Sequence, residues 1–135
     1  MNKFEIALME FWNSFVDSTQ TPPVKIPAFS GHVERAEFPY ITYELKRPAF
    51  GTRSVMRVSI WDRRAAAAGF RGLCNHILEQ IEARIPEGGL VLNWDEGALW
   101  IGRAANFIEY QTHPDPDDAR VVRAIVSLEV RGYVV

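Results

Sequence analysis

Hydrophobic positions along the chain follow two rhythms, one helical and one alternating. Phe4, Leu8, Phe11, Trp12 and Phe15 fall at i, i+4, i+7, i+8 and i+11, which places them on one face of a 3.6-residue period and predicts an amphipathic helix. Asn2 is placed to cap its start, and Asp17-Ser18-Thr19 followed by Pro22-Pro23 ends it, since a residue before proline is driven out of the helical region. The stretch TQTPPVKIPAFSGHV holds three prolines and a glycine and reads as an extended connector with one edge strand around Ala28 to Val33. Two alternating runs follow. Ile41, Tyr43 and Leu45 alternate with Tyr40, Thr42 and Glu44, and Met56, Val58 and Ile60 with Val55, Arg57, Ser59 and Trp61. Both patterns predict half-buried strands, joined by the polar loop KRPAFGTR.

A second helix is predicted where Phe70, Leu73, Cys74, Ile77, Leu78, Ile81 and Ile85 recur at helical spacing. Asp62 is its candidate cap, Ala65 to Ala68 favour it, Gly69 and Gly72 weaken its first turns, and Pro86-Glu87-Gly88-Gly89 stops it. The remainder is β again. LVLNW and ALWIG flank the turn signal Asp95-Glu96-Gly97, NFIEYQT reads as a further short strand, and THPDPDDA as a loop. The closing run is the most regular: Val122, Ala124, Val126, Leu128, Val130 and Val134 alternate with Arg123, Ser127, Glu129, Arg131 and Tyr133, one buried and one wet face. The order predicts a single α+β domain over residues 1–135, with two helices packed on one face of a mainly antiparallel β-sheet. Its expected core includes Leu8, Phe11, Phe15, Leu73, Ile77, Ile81, Val126 and Leu128.

Composition narrows the function classes. With 47% apolar and 24% charged residues the chain reads as globular and not disordered. Seventeen acidic against fifteen basic residues leave no uniform basic surface, which argues against sequence-specific nucleic-acid binding. Cys74 is the only cysteine, so no intrachain disulfide can form and secretion has no support. No apolar run approaches the roughly 18 residues of a membrane span, and Glu5 and Glu10 interrupt the apolar start, which therefore does not read as a signal peptide. The expectation is a soluble intracellular protein with no membrane partner.

Candidate chemistry is sparse. His32, His76 and His113 are far apart in sequence, with no pair at i, i+3 or i+4, and the loop of His113, Asp115, Asp117 and Asp118 lacks the glycine and terminal Glu of a calcium loop. Cys74 falls in the apolar stripe of the second helix, where a thiol acts as a small hydrophobe. There is no nucleophile elbow around Ser30-Gly31-His32, and Gly88-Gly89 ends a helix where a phosphate loop would begin one. No catalytic, cofactor or metal site is expected. What remains is a surplus of arginine over lysine, twelve to three, with four tryptophans, eight phenylalanines and four tyrosines. Arg, Trp and Tyr concentrate at protein–protein contacts, and the sheet face bearing Arg57 and Trp61 is a candidate docking surface.

Beside this reading stands a resemblance that covers nearly the whole chain. An amphipathic first helix leads through an irregular segment into Phe38-Pro39-Tyr40-Ile41-Thr42-Tyr43-Glu44-Leu45. There follow a strand ending Ser59-Ile60-Trp61, a helix with a Gly-Gly break, Asp95-Glu96-Gly97 with Trp100, and a closing strand ending Leu128-Glu129-Val130-Arg131-Gly132-Tyr133. In this order the chain resembles the tail-terminator and tail-completion (head–tail joining) proteins of tailed bacteriophages and prophages. The resemblance implies a non-enzymatic virion assembly protein without cofactors. Such a protein caps the tail tube as a ring, often a hexamer formed on the tail itself, and its partners are further copies, the tail tube protein and the head connector. It would be found in the bacterial host cytoplasm during assembly and then in the virion tail. The expected ring contacts are the basic loop of Lys46, Arg47 and Arg53 against the acidic loop of Asp115, Asp117 and Asp118, with the Arg57–Trp61 face as the next candidate, because unlike surfaces on one subunit suit head-to-tail rings. The alternatives are a small-ligand-binding or regulatory α+β module and a small α+β enzyme.

Overall fold

Alternation of apolar and polar positions becomes, in the computed structural model, a set of long strands. The structure describes residues 3–17, 21–31, 39–44, 54–63, 73–110 and 121–134. Helix α1 spans Lys3–Trp12, and strands β1 (Val16–Asp17), β2 (Val24–Lys25), β3 (Ala28–Ser30), β4 (Tyr40–Tyr43) and β5 (Ser54–Arg63) follow it. Helix α2 (Leu73–Arg84) then precedes β6 (Leu90–Trp94), β7 (Gly97–Tyr110) and β8 (Val121–Val134). The main sheet has the order β3-β4-β5-β8-β7-β6, with β1 and β2 forming a separate two-stranded piece. All its pairs are antiparallel except β3 with β4.

This corrects the expected fold class. The protein is mainly β: a six-stranded mixed sheet curled into a half-barrel, with 54 described residues in strands against 22 in helices, and not two helices lying on a flat antiparallel sheet. The physical reason lies in strand length. Strands of 10, 14 and 14 residues in β5, β7 and β8 accumulate the right-handed twist of each strand. A bulge bends β7 further: its register against β8 shifts between Arg103 and Ile108, and Asn106 takes a positive φ of 55° there. The two strands expected on either side of this point are one continuous strand.

Other boundaries also move. The first helix stops at Trp12, because the Asn13 and Ser14 side chains donate to the carbonyls of Met9 and Phe11 and so compete with further helical turns. Phe15 is buried all the same, from beyond the helix end. Asp62 belongs to β5 and does not cap α2; the residues expected in the first turns of α2, 64–72, lie outside the described part. The edge strand is seen at Ala28–Ser30. The hairpin signal holds, with Trp94 opposite Gly97 across the turn Asp95-Glu96.

One register sorts the sheet into two faces. Met56, Val58 and Ile60 of β5 stand opposite Leu128, Val126 and Ala124 of β8, and all six are buried. Ile41 and Tyr43 extend this face through β4, and Leu99 and Ile101 through β7. Against it pack Leu8, Phe11 and Trp12 of α1, then Phe15, and Ile77, Leu78, Ile81 and Ile85 of α2 and its end, in one continuous core. Of the expected core, Leu8, Phe11, Phe15, Ile77, Ile81, Val126 and Leu128 are buried; the Leu73 side chain lies outside the described part.

Two arginines tie the helices in place. The Arg84 guanidinium lies 4.6 Å from the ring centres of both Phe11 and Phe15 and donates to Ser14 Oγ at 2.6 Å. Burial holds its pKa below the ordinary arginine value. Arg103 donates from Nε to the Ile85 carbonyl at 2.8 Å and from Nη2 to the Glu82 carbonyl at 3.0 Å, satisfying acceptors at the C-terminus of α2 that have no partner within the helix.

Ile77 is fully buried at the centre of the α2 contact. Replacing it with Asp strands an unpaired carboxylate and removes a packing contact, together worth several kcal/mol, comparable with total stability of about 5–15 kcal/mol. The variant should lose its cooperative thermal transition. A melting temperature near the parent's would show that α2 does not hold the core.

Candidate functional site

The face of the sheet turned away from the core carries the residues of the candidate site. In β5 the odd positions Val55, Arg57, Ser59 and Trp61 point outward, opposite Glu129, Ser127, Ile125 and Arg123 of β8. In β4, Tyr40 stands opposite Trp61 and Thr42 opposite Ser59. Strand pairing thus lines up Tyr40, Trp61 and Arg123 in one row across three strands, although they are far apart in sequence.

The row is built as a stack. Tyr40 and Trp61 lie 6.2 Å apart between ring centres with planes 17° apart, and Phe29 of the edge strand meets Tyr40 edge-on at 6.3 Å. On the other side of Trp61 the Arg123 guanidinium sits 4.7 Å from the ring centre, a cation–π contact worth about 0.5–2 kcal/mol. Diagonal hydrogen bonds lock it. Trp61 Nε1 donates to Thr42 Oγ1 at 2.9 Å, and Arg123 donates from Nε and Nη2 to Ser59 Oγ at 3.0 and 2.8 Å. Ser59 is 5% exposed, so this acceptor is fixed within the sheet.

A cleft of about 350 Å³ opens beside the row, lined by Thr42, Arg57, Ser59, Trp61 and Arg123 and bounded by Glu44. Arg57 is exposed. Burial, and then the neighbouring charge of Arg57, hold the Arg123 pKa below its ordinary value. Among the described residues neither Arg57 nor Arg123 is ion-paired. Two guanidiniums on one wall, with an aromatic platform and a fixed hydroxyl, can accept a carboxylate or phosphate oxygen.

Of the sequence-predicted site residues, Arg57 and Trp61 are brought together on this face. Lys46, Arg47, Arg53, Asp115, Asp117 and Asp118 lie outside the described residues, as do His32 and His113. The Cys74 side chain is likewise outside the described part. His76 lies on α2, 3.9 Å from Glu79, and the described residues hold no group of three side chains able to ligate a metal. Sequence reading put Arg123 on a wet face but did not join it to Trp61, and Tyr40, Thr42 and Ser59 were not singled out. Alternation gave their face; only the strand order makes them neighbours.

A second surface runs between α1 and the edge strand β6, a groove of about 680 Å³ lined by Ile6, Phe11, Leu92 and Trp94 with Lys3 and Arg84 at its margins. Glu10, Ser14, Asn93 and Asp95 also line it.

Replacing Trp61 by Ala removes the platform under Arg123 together with the donor to Thr42, and should lower stability by about 1–3 kcal/mol in chemical denaturation. Trp61→Phe should lose well under half of that. Equal losses would show that the indole hydrogen bond, and not the ring face, holds the site. No family model matches the sequence, and no curated protein matches it.

Proposed function

We propose that the protein is a non-enzymatic virion assembly protein of the tail-terminator type, which caps the tail tube as a ring and joins it to the head. The observation that carries this reading is the Arg57–Trp61–Arg123 cluster on the outer sheet face. The Trp61 ring and the Arg123 guanidinium are held by hydrogen bonds on strands, so these two side chains have little conformational entropy left to lose on contact. Rigid arginine and aromatic side chains are what protein–protein hot spots are made of. The resemblance of the sequence to tail-terminator proteins supplies the type of assembly, and the preassembled face supplies a surface for it. The partners in this reading are further copies of the chain, the tail tube protein and the head connector, met in the host cytoplasm and retained in the virion tail.

The same cleft favours one other reading, a binding module for a small anionic ligand. That reading predicts a monomer that takes up its ligand at any protein concentration. The assembly reading predicts oligomers that grow with protein concentration or appear on tail tubes, and that disperse as salt rises, because screening weakens exposed charge contacts. Sizing and negative-stain imaging with purified tail tubes, at low and high salt, separates the two. Rings on tube ends support assembly; a monomer that leaves tube ends bare under every condition contradicts it.

A further inference from the structure

We propose that copies of the chain join edge to edge: strand β6 of one copy pairs in parallel with β3 of the next, Val91 opposite Phe29, and the sheet runs on from subunit to subunit. This names the contact used by the ring-forming reading above and rests on it.

Both edges are open. The order β3-β4-β5-β8-β7-β6 leaves one side of β3 and one side of β6 without a strand, and among the described residues no backbone group bonds there. The Pro27 carbonyl accepts from Ile41 N–H, and Gly31 N–H donates to the Tyr43 carbonyl. Pro27 and Gly31 thus face β4, and alternation along the strand turns the N–H and C=O of Ala28 and Ser30 outward. In β6, Trp94 and Gly97 close the two-residue turn as a hydrogen-bonded pair, so Val91 and Asn93 direct their backbone groups outward. Natural edges are blunted by charge or proline, and Leu90–Trp94 and Ala28–Ser30 hold neither. Each edge borders a groove against α1, about 680 Å³ beside β6 and about 850 Å³ beside β3.

The two edges fit each other, which points to a second copy as the occupant. Four antiparallel steps separate β4 from β6, and β3 is parallel to β4, so β3 and β6 run the same way. Rotation about an axis along the strands preserves that direction, and two different edges make a head-to-tail contact of the kind that closes into rings. With Val91 opposite Phe29 of the next copy, Val91 N–H donates to the Ala28 carbonyl and its C=O accepts from Ser30 N–H. These are the outward groups on both sides, in the pattern Ile41 and Tyr43 already make with β3.

The side chains agree with this register. Val91 is 50% exposed and Phe29 36%, and both stand on the outer face, Val91 opposite Trp100 and Phe29 opposite Thr42. Joining covers each with the other. On the core side Leu90 meets Ala28, both apolar and only partly buried in the lone subunit.

The test is cross-linking in a Cys74→Ser background, with Val91→Cys and Phe29→Cys made separately and together. Under mild oxidation the double variant should link into a ladder of multimers, in concentrated solution or on tail tubes. The two single variants mixed should stop at linked dimers, and either alone should give none. Dimers from Val91→Cys alone would mean that two β6 edges meet, and an unlinked double variant that no edges meet; each overturns the proposal. Val91→Pro removes only an outward donor, which an edge strand tolerates, so it should keep the parent's melting transition and form no rings. If it fails to fold, Val91→Lys makes the same test. Rings from either folded variant overturn the contact. Rings on tail tubes without the 91–29 link leave the tail-terminator reading standing and remove this contact; links in solution with bare tube ends do the reverse.

Discussion

The pairing of β5 with β8 is the constraint on which the rest depends. Ten consecutive residue pairs run from Ser54 with Val130 to Arg63 with Val121. Because side chains alternate with a period of two, this one register decides two things together. It sends Met56, Val58, Ile60, Ala124, Val126 and Leu128 into the core, and it sets Arg57, Ser59 and Trp61 beside Ser127, Ile125 and Arg123 on the outside. A slip by one residue would bury arginines and expose the core. Selection for a stable core therefore also fixes where the site residues stand: Arg123 and Trp61 stay opposite each other as long as this register holds.

The helices complete the core without defining the architecture. Each buries an apolar stripe at about 1.5–3 kcal/mol per large side chain, and side chains and carbonyls of other elements hold them in place. Arg103 serves the end of α2 from β7, Gln80 Nε2 donates to the Val16 carbonyl at 2.8 Å, and Arg84 bridges to the segment after α1. These contacts anchor α1 and α2 on the core side, and among the described residues no helix packs on the opposite face of β4, β5 and β8. That division of labour between faces makes an outer docking surface possible.

Much of this was legible in the sequence, and the failures have physical causes. The strict alternation of β8 gave its faces, the apolar stripe of α2 gave Ile77 and Ile81, and Asp95-Glu96-Gly97 gave the β6–β7 hairpin. The fold class was misjudged because two clear amphipathic helices outweighed strands whose lengths were underestimated. In β7 the stretch Ala104-Ala105-Asn106 breaks the alternation at the bulge, so one long strand read as two, and the curl that long bulged strands produce was lost with it. The helical period of α1 carried through Phe15, but the side chains of Asn13 and Ser14 turn the backbone out of the helix first. The candidate site was half visible: Arg57 and Trp61 share a strand and a face. Arg123 is 62 residues beyond Trp61 in sequence, and nothing local reports that β8 lies next to β5.

The central claim is that the outer face of β4, β5 and β8 is where this protein meets its neighbours in an assembly. Hydroxyl-radical footprinting of the protein free and bound to tail tubes tests it most directly, with residue-level readout by mass spectrometry. The account predicts that Trp61 and Tyr40 lose reactivity on assembly while Met9, exposed on α1, keeps its own. Assembled protein in which Trp61 and Tyr40 react as they do in the free chain would contradict it.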